Sequence, residues 1–226
     1  MQNLHIVKNV DIDDTFRVSR VMADFDVKKE HLNRVFEGTL DIPEKWQIGL
    51  ICGASGTGKS TIAKDIFATW GGNLQEFNAK SVIDDMPKTA TVTEIEKMFY
   101  AVGFGSVPCW LKPYSVLSNG EQMRVCLAKA LLSNDKVCFD EFTSVVDRNV
   151  AKTLCIALNK CLKKYPNKQF VAVSCHKDII EYLQPDWIFD TDTMQMVFLS
   201  AHVPNKNMKF TESGMKRGQS LGIITI

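Results

Sequence analysis

The eight residues GASGTGKS at positions 53–60 constrain the fold of this chain more than any other part of the sequence. They lie between QIGLIC, an apolar run that predicts a buried strand, and STIAKDIFATW, which predicts a helix closed by Gly71 and Gly72. A strand, a glycine-rich turn and a helix in this order are what the phosphate-binding pattern GxxxxGK[ST] requires. The sequence therefore predicts a P-loop within an α/β fold.

The residue types in this loop suit a nucleotide triphosphate. Glycines let backbone N–H groups curl around a β-phosphate, and the helix start adds the positive end of its dipole. Lys59 supplies a point charge to the β- and γ-phosphates, and the Ser60 hydroxyl suits Mg²⁺. The predicted ATP-binding residues of the loop are Gly53, Ser55, Gly56, Thr57, Gly58, Lys59, Ser60 and Thr61.

Short apolar runs alternate with amphipathic stretches along the chain, which predicts a mainly parallel sheet with crossover helices. KVCFD and FVAVSC predict two further buried strands, linked by a helix between Asp147 and Tyr165. A capping box of Thr91 and Glu94 predicts a helix in a small helical lobe over about residues 84–131. FRVSRVMADF, EGTLDI and QIGLIC predict an antiparallel side sheet, and SVIDDMP predicts one more strand.

Composition narrows the class of protein. The 226 residues, 45% hydrophobic and 23% charged, suit a globular chain with a proper core, and the net charge of +1 gives no global sign of a nucleic-acid binder. Seven cysteines without a CxxC pair predict reduced core thiols. A signal peptide and a long apolar span are both missing, so we expect a cytoplasmic protein whose membrane role, if any, needs a separate subunit.

Acidic and histidine side chains follow two of the predicted strands. Asp140, at the end of KVCFD, is placed to hold Mg²⁺ through water, and Glu141 is placed to act as general base on an attacking water. His176 leaves the end of FVAVSC, at the sheet edge where ligands collect. The predicted catalytic residues are therefore Lys59, Glu141 and His176. Without the P-loop upstream, a solvated turn and a structural histidine would explain the same residues.

The order of these motifs resembles that of the ABC ATPase superfamily. It runs from the P-loop to VLSNGEQMR, KVCFDE, SVVD and a strand with a histidine, and the family signature is LSGGQ. The resemblance covers about residues 16–200. It implies a single ABC-type ATPase domain over residues 1–200, which binds ATP and Mg²⁺. The loss of periodicity after position 200 predicts a C-terminal tail at 201–226, either a loose or self-docking terminus or a contact arm for a partner or nucleic acid.

The resemblance also implies a head-to-tail homodimer. The Ser118 and Gly120 region of one protomer would close over the nucleotide on the P-loop of the other. The helix that begins near Asn119 would aim N–H groups and its positive end at the γ-phosphate, with Ser118 as its cap and as a phosphate donor. Asp147 matches the family's D-loop aspartate, which relays between the two sites.

Some positions depart from the family pattern. Glu121 replaces the signature glutamine, and a glutamate there is usual in soluble ABC proteins of chromosome maintenance and DNA repair. The Q-loop glutamine is missing, and Asp84 and Asp85 stand in its place, so Asp85 is a candidate ligand of Mg²⁺. For the aromatic residue that stacks on adenine, Phe25 is the first candidate and Phe36 the second.

Longer phrases, such as VGFGSVPCWLKPYSVLSNGE and FDEFTSVVDR, resemble a group of phage and bacterial ABC ATPases, some fused to a GNAT-type acetyltransferase. The 26 residues after position 200 leave no room for that enzyme, so it would be a separate chain or missing. We expect an ATPase that acts as a switch on nucleic acid or on a partner enzyme. The alternatives are the energising subunit of a membrane transporter, which the small helical lobe disfavours, and a nucleotide-binding module with little turnover.

Overall fold

The structure, a computed structural model, describes residues 2–72 and 75–197. The predicted tail at 201–226 lies outside the described residues. Within them the chain forms helices α1 (Phe16–Asp24), α2 (Lys59–Ile66), α3 (Val92–Ala101), α4 (Val107–Trp110), α5 (Asn119–Ser133), α6 (Arg148–Leu162) and α7 (Ile180–Leu183). The strands are β1 (Gln2–Lys8), β2 (Arg34–Leu40), β3 (Ile48–Cys52), β4 (Lys136–Phe139), β5 (Gln169–Ser174), β6 (Trp187–Asp190) and β7 (Gln195–Val197).

The larger sheet has the order β4-β5-β3-β6-β7 and carries the core. Its first four members are parallel, and β7 pairs antiparallel with β6 at the edge. Every residue of β3 is buried, as expected for a central strand that is covered on both faces. The register sets Cys52 beside both Ser174 and Asp190, so three neighbouring strands end at the same edge. The α/β fold with a mainly parallel sheet is confirmed.

The antiparallel side sheet is also confirmed, but two of its three predicted segments are wrong. It consists of β1 paired with β2, which contains most of EGTLDI, whereas QIGLIC is the central strand of the core sheet. FRVSRVMADF forms α1 instead of a strand. Thr15 caps this helix by accepting a hydrogen bond from the N–H of Val18, and Val18, Val21 and Phe25 recur at helical spacing.

The helix after the P-loop is shorter than predicted. It ends at Ile66, and the two glycines do not close it. Gly71 instead lies alongside β4: its N–H donates to the carbonyl of Lys136 (3.0 Å) and its carbonyl accepts from the N–H of Cys138 (2.7 Å). A Cβ on Gly72 would lie 2.8 Å from the carbonyl oxygen of Cys138, so the pair allows close contact with this strand.

The prediction of a strand at SVIDDMP is wrong. Residues 81–86 form consecutive turns, in which the N–H of Asp84 donates to the carbonyl of Ser81 and that of Met86 to Ile83. Val82 and Met86 are four positions apart and both are buried. The short apolar run therefore reflects a tightly turned segment of the helical lobe, where the predicted capping box of Thr91 and Glu94 is confirmed.

One apolar cluster joins the helical lobe to the core sheet. It contains Leu50 of β3, Phe99 of α3, Leu127 of α5 and Leu158 of α6, each fully buried. The predicted helix between KVCFD and FVAVSC is confirmed as α6, which links β4 to β5. All seven cysteines are free thiols, and burial raises the pKa of Cys52, at the end of β3, to about 12.

Gly49 offers a direct test of packing in this sheet. A Cβ there would lie 2.1 Å from Cζ2 of Trp187, whose ring is completely buried. Because the ring cannot give way cheaply, Gly49→Ala is expected to lower the free energy of unfolding by about 1–3 kcal/mol, measured by urea denaturation. Gly105→Ala is the control, since its Cβ would meet nothing closer than 3.8 Å. Equal losses in the two variants would contradict the packing argument.

Candidate active site

The loop between β3 and α2 has the backbone of a phosphate cradle. Gly53 and Gly58 adopt φ angles of +151° and +93°, which L side chains rarely adopt. A Cβ would lie 2.2 Å from Oγ1 of Thr191 at the first position and 2.2 Å from the Phe36 ring at the second. Phe36 is thus buried beneath the loop. Its role as the second candidate for stacking on adenine stays a prediction.

Lys59 begins α2 and is 8% exposed. Its Nζ donates a hydrogen bond to the carbonyl oxygen of Ala54 at 2.7 Å, and the Thr57 hydroxyl donates to the same oxygen at 2.8 Å. The lysine charge is therefore held within the loop itself. A phosphate oxygen placed in the loop would offer Nζ a stronger, charged acceptor.

Ser60 and Asp140 come from different parts of the sequence and meet in the structure. The Ser60 hydroxyl donates to Oδ1 of Asp140 at 3.0 Å, and the N–H of Glu141 donates to the same oxygen at 2.9 Å. A hydroxyl beside a carboxylate fits Mg²⁺, which prefers hard oxygen ligands and takes others from water and phosphate. In residues 2–72 and 75–197, no group of three or more His, Cys, Asp and Glu could hold a metal. Phosphate and water oxygens would complete this site.

Glu141 and His176 lie at the ends of adjacent strands, on the edge that carries the P-loop. Glu141 has a φ of +52°, in the left-handed region, and its exposed carboxylate accepts from the Ser144 hydroxyl at 2.5 Å. His176 is half-buried, and its N–H donates to the Ser174 hydroxyl at 3.1 Å. The structure therefore brings the predicted base and the predicted phosphate contact to one edge.

The segment after His176 is tied to α6 by an ion pair. Arg148, the first residue of α6, donates from Nε to Oδ2 of Asp178 (2.9 Å) and from Nη2 to Oδ1 (2.5 Å). Both side chains are about half exposed, so the pair adds little to stability. Its two-pronged geometry nevertheless fixes the orientation of one segment relative to the other.

The helix of the VLSNGEQMR segment begins as predicted. Ser118 is the N-cap of α5, and its hydroxyl accepts from the N–H of Glu121. The carboxylate of Glu121 accepts in return from the N–H (2.9 Å) and the hydroxyl (2.7 Å) of Ser118, which lowers the pKa of Glu121. This reciprocal capping box, which the sequence reasoning missed at this helix, gives the glutamate at the signature position a structural role.

The starts of α5 and α6 lie against each other. A Cβ on Gly120 would be 3.1 Å from Cγ1 of Val150, so a larger residue would push the two helices apart. Asp147 caps α6 by accepting from the N–H groups of Asn149 (2.9 Å) and Val150 (3.1 Å). Ser118, Gly120 and Asp147 thus belong to neighbouring helix starts, and the relay role of Asp147 stays a prediction.

Two predicted site residues have other surroundings. Oδ1 of Asp85 accepts from the N–H groups of Asn78 (2.9 Å) and Ala79 (3.0 Å), which closes a turn of the helical lobe. Its assignment to Mg²⁺ stays a prediction. Phe25 is the C-cap residue of α1 and is 75% exposed.

Residues after β6 also hold the P-loop. Oδ1 of Asp192 accepts from the N–H of Ala54 (2.8 Å), while Nζ of Lys177 donates to Asp192 (3.0 Å) and to Asp190 (2.7 Å). The Ala54 hydrogen bond and the Lys177 charge keep the pKa of Asp192 below its usual value. Sequence reasoning missed these residues, although WIFDTD repeats the pattern of acids after an apolar strand.

A second support of the loop comes from the side sheet. Arg34, at the start of β2, donates from Nη1 to the carbonyl oxygen of Gly56 at 2.6 Å. The P-loop is therefore held from two sides, by β2 and by the turn after β6. No pattern in the sequence pointed to Arg34.

A comparison of the sequence with models of protein families also finds an ATPase family. The model of the ATPase family associated with various cellular activities (AAA) matches residues 49–188. The chain belongs to the AAA family of ATPases. The match covers well over half of the chain and includes the P-loop, the Asp140–Glu141 pair and His176. A comparison with curated proteins finds no match.

Solved structures similar to this AAA-family chain include ABC cassettes and an ABC transporter. A dimeric bacterial ABC transporter cassette has a TM-score of 0.53 at 17% identity, over 70% of this chain and 87% of its own. A putative metal-chelate type ABC transporter, inward-facing, has a TM-score of 0.57 at 14% identity, over 75% and 78%. A post-hydrolysis cassette dimer bound to ADP and Pi has a TM-score of 0.51 at 19% identity, over 70% and 87%. These likenesses confirm the predicted ABC-type P-loop fold. Among the residues that the structure describes, no helix is long and apolar enough to span a membrane.

Proposed function

We propose that this chain hydrolyses ATP in the manner of an ABC-type cassette, with Mg²⁺ as cofactor. The observation that carries the proposal is the 3.0 Å contact between the Ser60 hydroxyl and the Asp140 carboxylate. It brings a hydroxyl and a carboxylate, the oxygen groups that a P-loop magnesium site uses, close together and next to Lys59. Family membership supports the same chemistry.

The proposed reaction is an in-line attack of water on the γ-phosphorus. Lys59 leaves the carbonyl of Ala54 and binds the β- and γ-phosphate oxygens, and His176 contacts the γ-phosphate. Glu141 orients the water and accepts its proton as the bond to the ADP oxygen breaks, which releases ADP and phosphate. Mg²⁺ held by Ser60 and Asp140 would neutralise charge on the phosphate oxygens.

In this proposal the site is completed by a second copy of the chain. The adjacent starts of α5 and α6 support this, because two helix ends together offer N–H donors and positive dipole ends to an anion. The Ser118 hydroxyl already donates to Glu121, so backbone N–H groups are the expected first donors to the γ-phosphate in trans. Asp147, at the start of α6, would face the same interface.

A completed site of this kind makes turnover depend on protein concentration. We expect the ATPase rate per chain to rise with concentration and to level off once dimers dominate, measured by phosphate release together with size-exclusion chromatography in MgATP. A constant rate per chain across the range, with a persistent monomer, would contradict the dimer.

Two capping variants separate the dimer contact from helix stability. Ser118→Ala and Thr91→Ala remove equivalent capping boxes on α5 and α3 and are each expected to lower the free energy of unfolding by about 1 kcal/mol. Only Ser118→Ala should also shift the concentration dependence of turnover to higher protein concentration. The same shift in both variants would assign the effect to the stability of the helical lobe.

We further propose that the ATPase is a cytoplasmic switch for a partner. The helical lobe exposes large apolar side chains, which supports a partner enzyme more than nucleic acid: Val92, Tyr100, Val107, Leu111 and Val116. The nucleic-acid version predicts that duplex DNA, single-stranded DNA or RNA changes turnover, and that the change weakens as salt rises. No response to any of the three would remove it.

Service as the energising subunit of a transporter is the alternative. The likeness to transporter cassettes concerns the fold alone, so the alternative depends on finding a membrane partner. Affinity purification of the chain from detergent-solubilised membranes distinguishes the two. A stoichiometric multi-helix membrane protein that stimulates turnover would favour the transporter, and its absence from the complex would favour the switch.

A further inference from the structure

A pocket of about 770 Å³ lies beside the P-loop, and the proposed phosphate chemistry leaves it unused. It is lined by the start of β2, the top of the loop and the turn after β6, including Arg34, Val35, Glu37, Gly56, Thr57 and Asp192. Its volume is within the range of about 300–1,000 Å³ of small-molecule sites. Because Gly56 and Thr57 belong to both the loop and the pocket, a ligand with phosphates in the loop can extend its other end here.

The aromatic candidates do not supply this pocket with a stacking face. Phe36 lines it, but the residue is only 9% exposed and its ring lies directly under Gly58. Phe25 is on α1 and is not among the lining residues. A base in the pocket would therefore need a planar partner of another kind.

Arg34 is an exposed planar group in the lining. Its Nη1 donates a hydrogen bond to the carbonyl of Gly56 at 2.6 Å, so the guanidinium is held at the boundary between the pocket and the loop. A guanidinium stacks on aromatic rings through its flat face while its edge donates hydrogen bonds. Anchoring the edge on the loop therefore leaves stacking as the interaction suited to the face.

We propose that Arg34 stacks on the base of the bound nucleotide, in the place where an aromatic side chain was expected. The proposal rests on the proposed function, since it assumes that the triphosphate lies in the P-loop. Stacking on a guanidinium tolerates any base. ATP and GTP are therefore expected to bind with similar affinity, within about threefold.

The test compares two ligands that differ in the base: ATP and inorganic tripolyphosphate, both with Mg²⁺, titrated calorimetrically into the full chain. Arg34→Ala is expected to weaken ATP binding by roughly tenfold or more beyond any loss of tripolyphosphate binding, which reports the support that Arg34 gives to the loop. Arg34→Tyr, which restores a flat face, should recover most of the ATP affinity. Arg34→Lys, which keeps the charge, should not. Arg20→Ala, at an exposed arginine of α1 paired with Asp24, is the control and should change neither ligand.

Each outcome decides between stacking and support of the loop. Equal losses of ATP and tripolyphosphate in Arg34→Ala would mean that Arg34 only positions the P-loop, and would overturn the proposal. So would unchanged ATP binding in that variant, or rescue by lysine instead of tyrosine. If the unsubstituted chain bound neither ligand, the proposed function would fail and this inference with it. If Lys59→Ala weakened both ligands while Arg34→Ala weakened neither, the proposed function would stand and this inference alone would fail.

Discussion

Lys59→Ala is expected to weaken binding of ATP by at least about a hundredfold and to remove measurable turnover. In the proposed mechanism Lys59 provides the charge that meets the β- and γ-phosphates, and each charged hydrogen bond that is lost costs about 1.5–3 kcal/mol. The variant should still fold. The carbonyl of Ala54 loses Nζ as a donor but keeps the Thr57 hydroxyl at 2.8 Å. Calorimetric titration with MgATP measures the affinity.

Lys64→Ala is the matched control for this experiment. Lys64 is an exposed lysine on the same helix, so its loss changes the net charge of the chain equally without touching the loop. It is expected to bind ATP as the unsubstituted chain does. If the two variants lost affinity equally, the general electrostatic field of the protein would explain the effect, and the P-loop assignment of Lys59 would be wrong.

Glu141→Gln is expected to reduce turnover by about 10²- to 10⁴-fold while ATP still binds, because the amide cannot accept the proton of the attacking water. Glutamine has nearly the same shape, and its amide oxygen can still accept from the Ser144 hydroxyl. Since ATP binding continues but hydrolysis stops, the ATP-bound dimer should accumulate. Single-turnover kinetics and size-exclusion chromatography with and without MgATP measure the two effects.

Glu181→Gln provides the comparison for the base assignment. Glu181 is an exposed carboxylate on α7, and its replacement should leave both turnover and oligomeric state unchanged. Undiminished turnover of Glu141→Gln would refute the general-base role. A slow enzyme that stays monomeric in MgATP would keep that role and remove the dimer.

The sequence predicts the parts of this fold that rest on strong local signals. The strands at Ile48–Cys52 and Gln169–Ser174 are continuous apolar runs, which only a sheet covered on both faces buries well. Capping residues such as Thr91 and Ser118 mark helix starts because they bond to N–H groups three positions on. The P-loop is predicted best, since backbone conformation and phosphate chemistry demand the same residues.

Predictions failed where tertiary contacts override the local pattern. Gly71 is predicted to end the helix after the P-loop, yet its N–H and carbonyl form hydrogen bonds with β4, a strand far along the chain. Val82 and Met86 in SVIDDMP suggest a strand, although successive turns bury both. A short apolar run fits either arrangement, and only its neighbours in space decide between them.

The residues that support the P-loop could not be predicted from local sequence patterns either. Asp192 accepts a hydrogen bond from the N–H of Ala54, and Arg34 donates one to the carbonyl of Gly56. The two side chains come from separate segments of the chain. Hydrogen bonds between such distant residues leave no spacing in the sequence. The contact of Ser60 with Asp140 was predictable only because each residue belongs to a motif of its own.

The contact between Gly120 and Val150 gives α6 a mechanical role. The starts of α5 and α6 lie close together, so we expect a displacement of one helix start to move the other. The Arg148–Asp178 pair then connects the same end of α6 to the segment that follows His176. In the proposed dimer, α6 would therefore connect the helix starts that face the partner to the histidine of the protomer's own site. In that dimer, phosphate binding at one site would be transmitted to the other site by rigid-body motion, without unfolding of any part.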